Sequence, residues 1–382
     1  MYGNAFTIVE TDPTCGARLG RYETPHGVIE TPCFAPVGTQ GAIKAMTHEG
    51  VEAIGYRLIL ANTYHLYLRP GGDVIRAFGG LHRFMGWPHA LLTDSGGYQV
   101  FSLARLRKIN DEGVVFQSHI DGALIQFTPE NVVEFQELLG SDIAMVLDEC
   151  PPYPASFADV DVAVERTLRW AARSRRVHHR EDQALFGIVQ GGIYHELRQR
   201  CAERLVDLEF DGYAIGGLSV GEPTSEMREM VRWTQEFLPS NHMRYLMGVG
   251  MPHDIIFAVM QGIDLFDCVL PTRHARTGSL FTSRGRLIIK HQRYRDDERP
   301  LDPACDCLVC RRFSRAYLRH LFMTGEITAL ILNTYHNLYF YQRLMAEIRQ
   351  AVREHRLPDL LEHYEVLYAG AESSPEEITK DG

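Results

Sequence analysis

The chain has 382 residues, 45% hydrophobic and 23% charged, with 39 Lys and Arg against 49 Asp and Glu for a formal net charge of −10. That balance excludes disorder over most of the length and supports one large barrel or two medium domains, while the acidic global field excludes indiscriminate binding to nucleic acid. Eight cysteines in so long a chain are too sparse for a disulfide framework.

The first twenty residues hold no basic region followed by an apolar core, and nowhere do eighteen uncharged apolar residues run together. A cytoplasmic protein without a membrane span is expected. Apolar runs rich in Val, Ile, Leu and Ala predict strands at 58–61 and 91–93, then a helix at 129–139 and a strand at 143–147. The alternation continues with a helix at 160–175, a strand at 185–189, a helix at 194–208 and a strand at 213–215. It closes with a helix at 224–237, a strand at 245–247, a helix at 254–262 and a strand at 265–266. Continuous apolar strands alternating with helices imply a parallel sheet covered on both faces. Seven or eight such units predict a (β/α)8 TIM barrel of the α/β class. The alternative, a doubly wound open sheet, lacks both a G-x-G-x-x-G after an early strand and a phosphate-binding P-loop motif.

Most of these runs end in polar or glycine clusters: Asn62–Thr63, Asp94–Ser95–Gly96–Gly97, Asp148–Glu149–Cys150, Gln190–Gly191–Gly192, Gly216–Gly217, Gly248–Val249–Gly250 and Asp267–Cys268. In a parallel barrel these positions converge on the C-terminal mouth, where barrel active sites lie. A lone Asp after a strand is commonly a helix N-cap; several converging are harder to explain that way. Asp94 and Asp267 suit the nucleophile and acid/base pair that breaks a glycosidic bond with retention. Glycines at the same mouth let a planar ring approach backbone, and Tyr98 and Met247 can stack on its faces. Residue types alone leave the substrate open between a sugar, a base and a phosphorylated metabolite.

Further on, Cys305-Asp-Cys307-Leu-Val-Cys310 supplies three thiolates in a tight turn, and His336 follows in a predicted helix at 326–350. Cys3His is a closed zinc set, so one structural Zn2+ is expected in an inserted subdomain at about 280–350; His320 and His291 compete for the fourth position. Residues 271–320 carry twelve Lys or Arg against five acids, a basic segment fit for a polyanion or simply a solvated surface. The expected organisation is one barrel domain over 1–369, including the zinc-binding subdomain, and a flexible tail at 370–382.

Seven segments in order, TDSGGYQVFSL, MVLDECPPYP, GIVQGG, YAIGGLSVGE, YLMGVG, FDCVLPTRHARTG and the Cys set with its His, closely resemble the tRNA-guanine transglycosylases of the queuine tRNA-ribosyltransferase family, bacterial type. The resemblance implies a barrel enzyme that exchanges guanine at the wobble position of tRNAs with a G-U-N anticodon for a 7-deazaguanine base. It implies Asp267 as nucleophile on ribose C1′, Asp94 as general acid/base, Asp148 and Gln190 with the backbone of Gly217 and Leu218 reading the purine, and Tyr98 and Met247 sandwiching it. Arg273 and Arg276 match positions near the bound RNA, and a homodimer is implied. Val220, where eukaryotic relatives tend to have glycine, together with Asp148-Glu149-Cys150, implies 7-aminomethyl-7-deazaguanine (preQ1) rather than queuine. Glu222 is placed to respond to the aminomethyl group through the Leu218–Ser219 peptide.

Overall fold

Eight parallel strands close on themselves in sequence order in the computed structural model, which describes residues 6–103 and 107–368. They are β1 (Cys33–Gly38), β2 (Leu58–Ala61), β3 (Ala90–Thr93), β4 (Ile143–Met145), β5 (Ala184–Val189), β6 (Gly212–Ile215), β7 (Met243–Leu246) and β8 (Leu265–Cys268), with β8 pairing back onto β1. The expected barrel is therefore present, and all seven predicted strands lie in it. Leu58, Ile59, Leu60 and Ala61 are all buried, as strands enclosed by helices outside and packed side chains inside must be; each large apolar side chain so buried contributes about 1.5–3 kcal/mol. The strand not foreseen is β1, whose Pro36 argues on its face against a central strand.

The helices between strands carry their own start and stop signals. Thr128 and Asn131 form a reciprocal capping box ahead of Pro129–Leu139, which ends on Gly140 at φ 72°, a left-handed conformation that glycine adopts without a Cβ penalty. Ser156 caps the 21-residue helix Phe157–Val177. Predicted helix ends are met within about three residues, as the next two also show: His195–Val206 and Thr224–Thr234, ends being the least definite part of any helix.

Three pieces outside the barrel were not foreseen. An antiparallel meander, Phe6–Thr11, Arg18–Thr24 and Gly27–Thr31, meets the barrel at the N-terminal ends of its strands. Arg18 makes a buried fork to Asp264, and His26 Nδ1 lies 2.8 Å from Asp142. A second antiparallel sheet, Arg107–Asn110, Gly113–Gln117 and Leu124–Phe127, follows β3, and a hairpin, Ser279–Thr282 with Gly285–Ile288, follows β8.

Aspartates occur at both barrel ends and behave differently. Asp142, Asp211 and Asp264 each directly precede an even-numbered strand and accept the amide of Leu91, Leu185 or Arg244 on the strand before, at 2.8, 2.9 and 2.7 Å. These lock register at the stable end. Asp94, Asp148 and Asp267 lie at the opposite end, around a cavity. The predicted tail at 370–382 lies outside the described residues.

Candidate active site

The cavity at the C-terminal mouth measures about 570 Å3 and is lined by Asp94, Tyr98, Asp148, Gln190, Gly217, Leu218, Val220, Glu222, Met247, Asp267 and Arg273. Every base-reading and catalytic candidate from the sequence thus meets in one place. Arg276, one turn beyond Arg273 on the helix Leu270–Thr277, is half-buried and outside that lining.

Asp94 directly follows β3. One of its oxygens accepts the Thr63 amide at 2.8 Å and the other the Asn62 side-chain amide. Burial pushes its carboxyl up to about 6, against the pull of those hydrogen bonds, and the neighbouring charge of Asp267 adds to the rise. Asp267, in β8, accepts the Tyr245 hydroxyl at 2.5 Å and the Gly248 amide at 3.0 Å, both on Oδ1. Oδ2 has no donor among the described residues and is the less stabilised oxygen. Burial raises this carboxyl too, with the Tyr245 and Gly248 bonds opposing. Two raised carboxyls in one cavity are the usual electrostatic mark of acid/base chemistry.

Asp148 accepts from Gln190 Nε2 at 2.7 Å and from the Ser95 hydroxyl at 3.2 Å, and burial pushes it up to about 6. Gln190 Oε1 is buried without a partner, and a Cβ on Gly217 would fall 2.2 Å from it. Glycine at 217, with φ 63°, is therefore required twice over. Glu222 accepts the amides of Ser219 and Val220. A trans peptide points its C=O opposite to its N–H, so the Leu218 carbonyl faces away from Glu222. Cys150 is buried and its thiol is pushed up to about 12, consistent with a packing cysteine. Sequence reasoning placed Asn62 at the mouth without its role beneath Asp94, and missed the Tyr245 hydroxyl on Asp267. For Tyr245 there was a signal, since a strand tyrosine two residues before Met247 shares its side of the sheet, and a buried hydroxyl needs a partner.

Further along the chain than Asp267, Cys305, Cys307, Cys310 and His336 bring their ligand atoms within 4.8 Å of one another. His336 Nδ1 lies 3.6 Å from Cys307 Sγ and 3.4 Å from Cys310 Sγ. Tetrahedral zinc, with Zn–S about 2.3 Å and Zn–N about 2.05 Å, spans roughly 3.6 Å between such atoms. His336 Nε2 lies 2.8 Å from the Phe281 carbonyl; that acceptor fixes the proton on Nε2 and leaves Nδ1 free to ligate. His320 and His291 are exposed and outside the cluster. The set can hold a metal ion and has the donors and spacing of a zinc site.

A model of the queuine tRNA-ribosyltransferase family matches residues 12–369. The chain belongs to that family. A queuine tRNA-ribosyltransferase of Caldanaerobacter subterraneus subsp. tengcongensis is 57% identical over 366 residues, 96% of this chain and 98% of that protein. Proteins of the same name from Thermoanaerobacter sp. and Pelotomaculum thermopropionicum are 58% and 56% identical, over 92% and 96% of this chain and 94% and 99% of theirs. As a family member the protein is a tRNA-ribosyltransferase, an enzyme of the pentosyltransferase class.

Proposed function

We propose that this ribosyltransferase replaces guanine at the wobble position of G-U-N tRNAs with preQ1, through a ribosyl ester on Asp267, as a step of queuosine biosynthesis. The observation that carries the reading is the meeting of Asp267 and Asp94, both with raised carboxyls, in one cavity whose wall holds the Asp148–Gln190 pair and the glycine backbone that follows β6.

Asp267 Oδ2 attacks ribose C1′, the C1′–N9 bond breaks, and its electron pair goes to guanine N9 with a proton from Asp94. In the second half preQ1 loses its N9 proton to Asp94, N9 attacks C1′, and Asp267 leaves as a carboxylate. Two inversions give retention. The ester keeps C1′ activated, so no nucleoside triphosphate is required. The Asp148 carboxylate accepts the N–H groups of the purine Watson–Crick edge, Gln190 and the Gly217 and Leu218 amides meet neighbouring polar atoms, and Tyr98 and Met247 cover the ring faces. The Leu218 carbonyl, turned away from Glu222, accepts the aminomethyl ammonium. Val220 crowds anything larger at that place.

Arg273 and Arg276 hold the RNA backbone beside the cavity. Zinc in the Cys3His set is structural, because four protein ligands leave no open position. The protein works as a cytoplasmic homodimer, a second copy adding surface for a whole tRNA. No helix among the described residues is long and apolar enough to cross a membrane. Incubation with labelled guanine and unmodified G-U-N tRNA tests the reading: label enters the tRNA at the wobble position. Absence of incorporation with folded, metal-loaded protein contradicts it.

A further inference from the structure

Behind the cavity wall lies a charged side chain that the exchange chemistry does not use. Arg198, on the helix His195–Val206, is fully buried. Its Nε donates to the Gly192 carbonyl at 2.7 Å, Nη1 to Gly216 at 3.1 Å and Nη2 to Gly217 at 3.3 Å. Those carbonyls belong to two different strand-end loops, after β5 and after β6. Access for the fork is built in, because a Cβ on Gly191 would fall 2.6 Å from both Arg198 Cγ and its amide nitrogen. No salt bridge to a carboxylate accompanies Arg198 among the described residues; its hydrogen bonds go to carbonyl dipoles, and Glu222 acts on it only as a charge beyond ion-pair distance. Burial lowers it to about 10, still charged at neutral pH. So costly a burial is unusual unless the orientation it fixes is used.

We infer that Arg198 is a positioning residue that aims the Gly217 and Leu218 amides at the six-position oxygen of the purine. With the Gly216 and Gly217 carbonyls taken by the guanidinium, the N–H groups across the same trans peptides, on Gly217 and Leu218, point the other way. Both residues line the cavity. Glu222 fixes the opposite end of the loop by taking the Ser219 and Val220 amides. A cation on the carbonyls and an anion on the amides thus sort one short loop into two donors followed by acceptors, the Leu218 carbonyl first. Donors so held need no reorganisation when charge develops on a departing purine. A lysine, with one ammonium, cannot reproduce the planar fork on both loops.

This inference rests on the purine-exchange reading above, and the test keeps the two apart. Inhibition of labelled-guanine exchange is measured with unlabelled guanine and with 6-thioguanine, which keeps the N–H edge but offers sulfur, a weaker acceptor, in place of oxygen. Wild-type protein prefers guanine. In Arg198→Lys and Arg198→Met that preference shrinks at least fivefold, while KM for tRNA stays within about twofold, the double comparison isolating the amide–oxygen interaction. Should Arg198→Met not fold, the lysine variant, checked by metal content and thermal melting, carries the test alone. Equal loss for both bases shows a merely structural arginine and overturns the inference, as does a wild type that does not distinguish them. Wild-type protein that incorporates no guanine sinks the functional reading instead.

Discussion

On the proposed reading, Val220 sets a limit on what the cavity accepts. It lines the wall beside Glu222, and its own amide is held by that carboxylate at 2.9 Å, so the backbone that carries its isopropyl group is fixed in place. A steric block excludes a ligand more completely than a missing contact. Val220→Gly is expected to gain at least tenfold in kcat/KM for queuine and to keep most of its guanine exchange, the ratio being read from competition assays. Wild-type protein that already prefers queuine contradicts this placement. At this scale the sequence was informative where function clusters: Asp94, Asp148, Gln190 and Asp267 were singled out as strand-end residues, and all four face one cavity. It was silent on Arg198, because an arginine on an amphipathic helix reads as a solvated face, and only tertiary packing reveals carbonyls converging on it from two loops.

Among elements, the long helix Ile327–Arg353 links the metal set to the cavity. His336 joins the cysteines, while Asn337 donates to the Pro271 and Ser279 carbonyls at 2.9 and 3.1 Å and Asn333 to Ala275 at 3.3 Å. The helix Leu270–Thr277, with Arg273, is thus held by neighbours of His336, a member of the candidate metal set. Cys307→Ala is expected to lose the metal, to lose amide protection across the hairpin at 279–288, and to weaken tRNA binding more than guanine binding. Hydrogen exchange and metal analysis check it; a metal-free variant with unchanged protection and full activity contradicts it. The meander offers a pH test. The Asp142 hydrogen bond raises the His26 pKa; burial pushes Asp142 up, but bonds from His26 and His82 outweigh that and bring it to about 2. The histidine contribution is complete below its unfolded value of about 6.5 and is lost as pH rises through the raised folded value; the aspartate contribution is present above about 3.9 and is lost as pH falls toward 2. The contact is strongest between about pH 4 and 6.5. His26→Ala is expected to lower Tm by about 1–3 °C at pH 5.5 and by less at pH 9, and a difference that grows with pH contradicts the assignment. The meander itself was not legible beforehand, since its short polar strands carry no strong period and owe their place to Asp142 and Asp264 on the barrel.

For the whole molecule, the repeating strand–helix period gave the barrel, because a covered parallel sheet demands continuous apolar strands. The basic segment at 271–320 was only half legible. Part of its charge is internal, Asp297 pairing with Arg299 and Arg315, so a count of charges overstates what faces a polyanion. The central step proposed is a bond from Asp267 to ribose. The direct measurement is a denaturing gel of protein incubated with labelled G-U-N RNA, followed by peptide mapping of the labelled band. Wild-type protein is expected to give an adduct mapping to Asp267, and Asp267→Asn to bind the RNA with affinity within about threefold yet give none. An adduct that persists in Asp267→Asn, or maps to another carboxylate, contradicts the account.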